Sequence, residues 1–224
     1  MIKIEKTVLP SPEQWDIIIE GMRNPKNSWD KSDSYTTHIC DLETLETADF
    51  AWFMGDNDYD LAERLAKGGS VHAKYRRMIP VYMTINAPLY WWKEFDTYKV
   101  GTVANSCSTM HKIHAKEFTM DDFSHEHLLT GSMFQLHRVV DLLNEARESF
   151  LECTADYKKV YWWQLIQLLP TSYNQKRTVM LNYEVLCNIY HSRKNHKLDE
   201  WREFCLWVES LPYSELITDT CKSN

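Results

Sequence analysis

Apolar side chains recur at helical spacing through long parts of this sequence, and a β-branched run interrupts them. Between residues 130 and 153, Met133, Leu136 and Val140 are three or four positions apart, which predicts an amphipathic helix. The segment MIPVYMTINAP, residues 78–88, is instead rich in β-branched and aromatic residues and ends in proline, which predicts a strand. The chain must therefore fold from both kinds of element.

The remaining periodicity predicts further elements. MIKIEKTVL at the start alternates apolar and polar residues, as a half-buried strand does. Ser11 with Pro12 is typical of a helix start, and this helix is expected to continue to about Met22. Other helices are predicted over 41–67 (two, with a break near GDNDYD), 89–98, 158–169, 176–193 and 198–211. No internal repeat appears, and 224 residues fit a single domain spanning 1–224.

Charge and cysteine content exclude several classes of protein. A net charge of −7 and a pI near 5.7 argue against a general nucleic-acid binder, because such proteins usually carry a basic surplus. The six cysteines include no C-x-x-C pair, so neither a zinc ribbon nor a dense disulfide framework is predicted, and a reducing cytoplasm is expected. No window approaches the roughly 20 apolar residues that span a bilayer, so no membrane association is expected.

The stretch LNYEVLCNIYHSRKNHKLDEWREF, residues 181–204, places polar side chains among apolar ones. Asn182 and Arg193 share the helical spacing i, i+4, i+7, i+11 with Leu186 and Ile189, which would put an amide and a guanidinium on a core-facing stripe. Such burial is costly without partners, and a bidentate anion or a pyrimidine carbonyl would satisfy the arginine. Alternatively, Arg193 lies in a last helical turn and complements the helix dipole.

The spacing of the polar positions in this stretch is more specific evidence of function than their place on one helix face. They are Asn182, Asn188, Arg193, His196, Glu200 and Arg202. This spacing resembles the C-terminal signature of the flavin-dependent thymidylate synthases, N-x(5)-N-x(4)-R followed after a short break by H-x(3)-E-I-R. As in that family, a Leu-Pro pair ending at Pro170 lies twelve residues before the first asparagine. The break is one residue shorter here, and tryptophan replaces isoleucine before Arg202.

An upstream segment is similar to a second motif of that family, R-H-R-x-x-S-x-N-E-x-S-x-R-Y. Residues 97–111 match it once one inserted residue is allowed, and Asn105 and Ser108 are kept. Lys99 stands at the last arginine of R-H-R, and Thr102 falls in a small-residue position. The resemblance covers roughly residues 61–208.

The family arginines that bind the substrate phosphate are replaced at the matching positions. Thr97, Met110 and Ile166 stand there, and Glu94 replaces a glutamine. Losing three guanidiniums removes charge-assisted hydrogen bonds of roughly 1.5 to 3 kcal/mol each. Either the acceptor differs from dUMP, or Lys74, Arg76 and Arg77 supply replacement charge. Alternatively, those three side chains form a solvated face.

The resemblance implies an α+β fold with a mostly antiparallel sheet and surrounding helices. It implies an enzyme that uses FAD, NADPH and methylenetetrahydrofolate to methylate uracil C5 of dUMP or a related pyrimidine acceptor, with active sites at the subunit interfaces of a homotetramer. The implied FAD-binding residues are Lys99, Thr102, Asn105, Asn182, Asn188 and His196. The implied substrate-binding residues are Glu94, Ser108, Arg193 and Arg202, of which Ser108 and Arg193 are catalytic. A fixed cation such as Arg193 would polarise the pyrimidine carbonyl.

Two other classes of function stay open. A noncatalytic nucleotide-binding or regulatory protein would keep the fold and lose the chemistry, as the replaced arginines allow. His111 and His114 suggest a metal-binding protein, but no third ligand follows at fixed spacing, so no metal site is predicted. Cys107 is expected to be a spare thiol rather than a nucleophile.

Overall fold

The computed structural model describes the backbone of residues 1–40 and 47–219 and the side chains of residues 1–38 and 51–219. Its strands are β1 (Lys3–Val8), β2 (Tyr35–Cys40), β3 (Thr47–Phe53), β4 (Pro80–Pro88), β5 (Val103–Ser106) and β6 (Asn174–Asn182). Its helices are α1 (Pro12–Arg23), α2 (Asp56–Lys67), α3 (Leu89–Phe95), α4 (Thr130–Glu152), α5 (Ala155–Leu168), α6 (Tyr183–Arg193), α7 (Asp199–Glu209) and α8 (Glu215–Thr218). Short 3-10 turns cover Asn24–Lys26, Trp29–Lys31, Lys74–Met78 and Met120–Asp122.

The strands of the described residues form two sheets. The larger has four strands in the order β1-β4-β6-β5, so β4 pairs with strands that are distant in the sequence. The smaller is an antiparallel hairpin of β2 and β3, in which Tyr35 lies opposite Phe53. Helices combined with antiparallel sheet confirm the predicted α+β class.

The chain forms two compact units, each built from three separate segments. Unit 1 contains Met1–Glu5, Thr84–Thr97 and Ala104–Thr178, and unit 2 contains Lys6–Met83, Tyr98–Val103 and Val179–Asn224. Because these segments alternate along the sequence, no single cut separates the units. The assignment of residues 1–224 to one domain stays a prediction.

Unit 1 contains the long helix α4 and α5, which pack together. One apolar cluster of this unit comprises Ile113, Phe118, Phe123, Leu136, Val140, Leu143 and Leu165. Leu136, Val140 and Leu143 follow the spacing that predicted α4. In the same unit, Trp92 of α3 is fully buried and its indole donates to the Gln175 carbonyl at 2.8 Å.

Unit 2 begins its first helix as the sequence predicted. The Ser11 hydroxyl accepts from the Gln14 backbone, and the Gln14 side chain accepts from the Ser11 backbone, so α1 starts with a capping box. Trp15 of this helix stacks on Trp52 with 4.9 Å between ring centroids and meets Tyr213 edge to face. These aromatic contacts tie α1 to the rest of unit 2.

The helix predicted over 176–193 is wrong in its first half. The backbone is extended to Asn182, where β6 ends, and α6 begins at Tyr183. Val179 and Leu181 are buried at alternate positions, as expected of a strand with one face toward a core. The short apolar run VML fits a strand as well as a helix, which explains the error.

The two helices predicted over 41–67 are confirmed only in their second half. Residues 56–67 form α2, whereas residues 47–53 form β3. Residues 41–46 lie outside the described residues. Ala51, Trp52 and Phe53 end β3, and two of these three are aromatic, a type favoured in strands.

Cys187 of α6 is disulfide-bonded, whereas Cys107, Cys153 and Cys205 are free. The bond was not predicted, because no pairing follows from six scattered cysteines. A cytoplasmic location stays a prediction. Among the described residues, no helix is both long and apolar enough to cross a bilayer.

Candidate functional site

Asn182 joins the end of β6 to the start of α6. Its backbone is extended, with φ −137° and ψ 170°, and its side-chain Oδ1 accepts from the Val185 backbone N–H at 3.1 Å. The side chain is therefore the N-cap of α6. Because the oxygen caps the helix, the amide nitrogen is the atom that can serve a ligand.

Gly101 brings a loop of unit 2 against this helix start. Its φ of +80° is in the left-handed region that glycine favours. A Cβ added here would lie 3.1 Å from Cγ2 of Val185 and 3.2 Å from Nδ2 of Asn182. The glycine therefore permits a close approach of the loop to the Asn182 amide.

The loop, β4, β6 and the start of α6 line a cleft of about 420 Å³, the Asn182 cleft. Its lining residues are Arg77, Met78, Pro80, Tyr82, Gly101, Thr102, Val103, Met180 and Asn182. The Thr102 hydroxyl is buried and has no hydrogen-bond partner in the described part of the chain. A buried polar group without a partner costs about 1 to 3 kcal/mol. A ligand that bonds to Thr102 would remove this cost.

Arg77 is the residue of the AKYRR segment that reaches this cleft. It is exposed, and its Nη2 donates to the Ser70 carbonyl at 3.4 Å. Arg76 is instead 1% exposed, paired with Glu184 at 2.6 Å and bonded to the Leu216 carbonyl at 3.1 Å. Both sequence-based interpretations of Arg76 are therefore wrong, because it is neither a solvated side chain nor a cation available to a ligand. Lys74 is exposed.

Arg193 is half-buried and held by aromatic side chains. Its Nε donates to the Tyr98 hydroxyl at 2.8 Å. The guanidinium carbon lies 4.9 Å from the Trp201 ring centroid and 5.6 Å from that of Tyr98, within the range of cation–π contacts. These contacts fix the position of the guanidinium.

His196 and Arg202 organise the turn between α6 and α7. Nδ1 of His196 accepts from the Leu198 backbone at 3.2 Å, and its ring meets Trp201 edge to face at 6.4 Å. Arg202 is exposed, donates to the His196 carbonyl at 3.0 Å and forms an ion pair with Asp199. These contacts give both residues a structural role in the turn.

Ser108 lies in unit 1, where it lines a cleft of about 260 Å³, the Ser108 cleft. Its hydroxyl accepts from the backbone of Met110 at 3.3 Å and of His111 at 2.8 Å, which stabilises a turn. Cys107, Lys116, Lys176 and Tyr173 also line this cleft. Burial raises the pKa of Tyr173 to about 12, so this phenol stays protonated.

The other predicted site residues line neither cleft. They are Glu94, Lys99, Asn105 and Asn188. Lys99, Asn105 and Asn188 are exposed. The carbonyl of Glu94 accepts from the backbone and hydroxyl of Thr97, which ends α3.

Comparisons with known proteins give a match in structure but none in sequence. No family model matches the chain, and no curated protein matches it. A crystal structure of flavin-dependent thymidylate synthase ThyX from Helicobacter pylori, complexed with FAD and dUMP, is 15% identical and has a TM-score of 0.63, with 99% of each chain covered. A second ThyX structure from that organism, with FAD and dUMP, is 16% identical with a TM-score of 0.61 and full coverage of both chains. The protein has the fold of the flavin-dependent thymidylate synthases.

Within this flavin-dependent thymidylate synthase fold, the predicted residues fall into separate groups. Thr102 and Asn182, distant in sequence, line one cleft. Arg193 and His196 meet at Trp201. Ser108 lies on a cleft of the other unit.

Two side chains at these places were not predicted as site residues, and a third, Arg77, was predicted only as one alternative source of replacement charge. Arg77 lines the Asn182 cleft, and Tyr98 and Trp201 hold Arg193. The sequence marked Trp201 as unusual, because an aromatic residue replaces the isoleucine that the thymidylate synthase signature has before Arg202. The sequence also marked Tyr98, since it stands at the histidine position of the R-H-R motif.

His111 and His114 are the two histidines that suggested the metal-binding alternative. His114 lies against Phe150, with 4.3 Å between ring centroids, and burial lowers the pKa of its imidazole. Within residues 1–40 and 47–219, no three His, Cys, Asp or Glu side chains are grouped to hold a metal ion.

Proposed function

We propose that the protein binds FAD in the Asn182 cleft and uses it for one-carbon transfer to a pyrimidine nucleotide or a related acceptor. The observation that carries this proposal is the buried Thr102 hydroxyl without a partner, in the same cleft as the Asn182 amide. A planar heterocycle with hydrogen-bonding edges would satisfy both groups. The two ThyX structures of the same fold contain FAD and dUMP, which supports this choice of ligands.

The proposed FAD-binding set is larger than the two residues that carry the argument. Besides Thr102 and Asn182 it includes Lys99, Asn105, Asn188 and His196, on the resemblance of their spacing to the family motifs. Arg77 is added because it brings a positive charge to the cleft lining. In the family, such sites lie between subunits, so exposed members of the set are compatible with a role in the assembly.

The proposed chemistry divides between the cofactors and one arginine. FAD held by these residues would supply the redox chemistry, with NADPH as the reductant and methylenetetrahydrofolate as the carbon donor. Arg193 would bind a pyrimidine carbonyl and stabilise the negative charge that develops when C5 attacks. Its contact with Tyr98 orients the guanidinium before the substrate arrives. Ser108, Glu94 and Arg202 are proposed substrate contacts.

The acceptor is proposed to carry less negative charge than dUMP. Thr97, Met110 and Ile166 replace the family arginines for its phosphate. Of the lysines on the Ser108 cleft, Lys116 pairs with Asp122 and Lys176 pairs with Glu5 at 2.8 Å. Because these charges are already compensated, a pyrimidine nucleoside or a monoanionic pyrimidine fits the site better than a dianion.

The proposed homotetramer is supported by an apolar stripe on α5. Tyr157, Val160 and Trp163 are spaced three apart and are between 42% and 62% exposed. Large apolar side chains that share one exposed helix face are typical of an interface. A second copy of the chain is the proposed partner of this stripe.

Charge placed on this stripe is expected to disrupt the assembly. The wild-type protein should have a mass of four times 26.6 kDa by light scattering, and Tyr157→Glu/Val160→Glu should give smaller species, because buried carboxylates without partners are costly. Leu206→Glu, on an exposed site of α7, is the matched control and should keep the wild-type mass. A wild-type monomer would contradict the proposed tetramer.

Removing the Thr102 hydroxyl is expected to weaken FAD binding. Thr102→Val keeps the shape of the side chain and loses one neutral hydrogen bond, so the Kd for FAD should rise about two- to tenfold. Quenching of flavin fluorescence during titration measures this. Thr36→Val, on an exposed site of β2, should leave the Kd unchanged. A protein that binds no FAD would overturn the proposed function.

A noncatalytic nucleotide-binding protein is the second candidate, favoured by the replaced arginines and by the Ser108 hydroxyl, which is engaged by its own backbone. Anaerobic addition of NADPH separates the two candidates. The enzyme should lose its yellow colour as flavin is reduced. A noncatalytic protein should bind nucleotide and stay yellow or colourless.

A further inference from the structure

A second cleft of unit 2, of about 610 Å³, has no part in the flavin proposal. Its lining residues are Arg23, Lys26, Ser28, Lys31, Asn57, Leu61 and Arg64. None of them lines the Asn182 cleft. We name it the basic cleft, because four of these residues are cations and none is a carboxylate, although the chain has a net charge of −7.

One wall of the basic cleft is the loop after α1, which folds around the buried guanidinium of Arg23. Its Nη1 donates to the Ser28 carbonyl at 3.2 Å and its Nη2 to the Lys31 carbonyl at 2.9 Å. The charge of Arg23 is compensated by Asp58. These bonds fix the backbone that carries Lys26 and Lys31, whose ammonium groups form no salt bridge with any described residue.

A second wall is one face of α2. Asn57, Leu61 and Arg64 are four and three positions apart, so their side chains lie on the same side of the helix. Nε of Arg64 donates to the Asp60 carbonyl at 3.2 Å. Within the described ranges, its guanidinium has no carboxylate partner either.

Lys26, Lys31 and Arg64 thus bring three uncompensated positive charges to one concave surface. Like charges in a shared cleft repel each other, and a bound polyanion would turn this repulsion into attraction. We infer that the basic cleft binds a small ligand with several phosphate groups, such as the triphosphate chain of a nucleotide. Lysine binds phosphate as a point charge and arginine as a planar fork, and the Asn57 amide adds a neutral donor.

The size and surroundings of the cleft favour a small ligand over a nucleic acid. A volume of about 610 Å³ lies within the range of roughly 300 to 1,000 Å³ typical of small-molecule sites. A nucleic acid would meet an acidic surface beyond the cleft, since the pI is near 5.7. The inference does not depend on FAD binding, because the two clefts share no lining residue.

Calorimetric titration of the 224-residue chain with inorganic tripolyphosphate at low ionic strength tests the inference. One site per chain is expected, with an affinity that falls as salt is added. Lys26→Gln/Lys31→Gln should weaken binding about tenfold or more, because two charge-assisted contacts are lost. ATP in place of tripolyphosphate tells whether base and ribose contribute: equal affinity identifies the phosphate chain as the ligand, and tighter binding identifies a nucleotide. Either result supports a polyphosphate site.

The control variant is Lys93→Gln/Lys159→Gln, which removes the same charge from exposed sites of unit 1. It should leave the affinity unchanged, and both variants should unfold at the wild-type temperature. Equal weakening by the two variants would overturn the inference, since binding would then depend on net charge alone. It would also be overturned if tripolyphosphate did not bind to the wild-type protein, or if a short single-stranded oligonucleotide bound more tightly than either polyphosphate. Saturating FAD should not compete, and competition would contradict a separate site.

Discussion

Asp58→Ala is expected to lower the free energy of unfolding by about 3 to 5 kcal/mol, because it leaves the Arg23 guanidinium buried without its counter-charge. Asp58 is 0% exposed and Arg23 is 3% exposed, and they are joined at 2.5 Å. The second carboxylate oxygen accepts from the hydroxyls of Ser34 at 2.7 Å and Ser32 at 2.8 Å. Denaturation by urea, followed by circular dichroism, measures the loss.

Asp60→Ala is the matched control for this variant. Asp60 lies on the same helix, is exposed, and bonds to Arg64 only through its backbone. Its removal should change the free energy of unfolding by no more than about 0.5 kcal/mol. If Asp58→Ala were as mild as this control, the buried pair would not stabilise unit 2.

The same carboxylate should make stability depend on pH. Burial raises the pKa of Asp58, but hydrogen bonds from Ser34, Ser32 and Arg23 outweigh it, so the pKa lies below its ordinary value. Such a group contributes stability that is fully present above its unfolded pKa of about 4 and is lost as the pH falls through the folded-state pKa. As the pH falls from about 4 to about 2, the free energy of unfolding of Asp58→Ala should therefore decrease less than that of the wild type.

Most of the fold follows from local patterns, and the exceptions have a common cause. Periodicity predicted α1, β4 and α4, because each has either a long repeat or a clear terminal signal. It failed at β6, whose apolar run is too short to distinguish a strand from a helix. There the pairing with β4 and β5 decides the structure. Pairing between strands that are distant in sequence cannot be predicted from the local residues.

The motif spacing selects some residues of the candidate site, but it does not show how they are grouped in space. The motif spacing selected Thr102, Asn182 and Arg193, and two of these line one cleft. Arg76 was misjudged, because the charge that compensates it, Glu184, follows more than a hundred positions later. Spacing reveals which residues a helix or loop presents, whereas ion pairs between distant segments depend on the packing of the whole unit.

Arg193→Gln is expected to lower turnover about 100- to 1,000-fold while FAD stays bound, since it removes the cation proposed to stabilise charge on the pyrimidine. The measurement is product formation from dUMP, or from deoxyuridine as the less charged acceptor, with NADPH and methylenetetrahydrofolate. Flavin absorbance in the same samples reports FAD binding. Lys194→Gln removes an adjacent exposed charge and should keep turnover near the wild-type value.

Tyr98→Phe separates positioning from charge. It keeps the ring that Arg193 faces and removes the hydroxyl that accepts from Nε, so the guanidinium loses one orienting bond. Turnover should fall about tenfold, which is less than for Arg193→Gln. A hydrogen bond to a charged group contributes about 1.5 to 3 kcal/mol. The loss is expected at the lower end of this range, because Trp201 still faces the guanidinium. Unchanged turnover in Arg193→Gln would mean that this cation holds α6 and α7 together and does not act on a substrate.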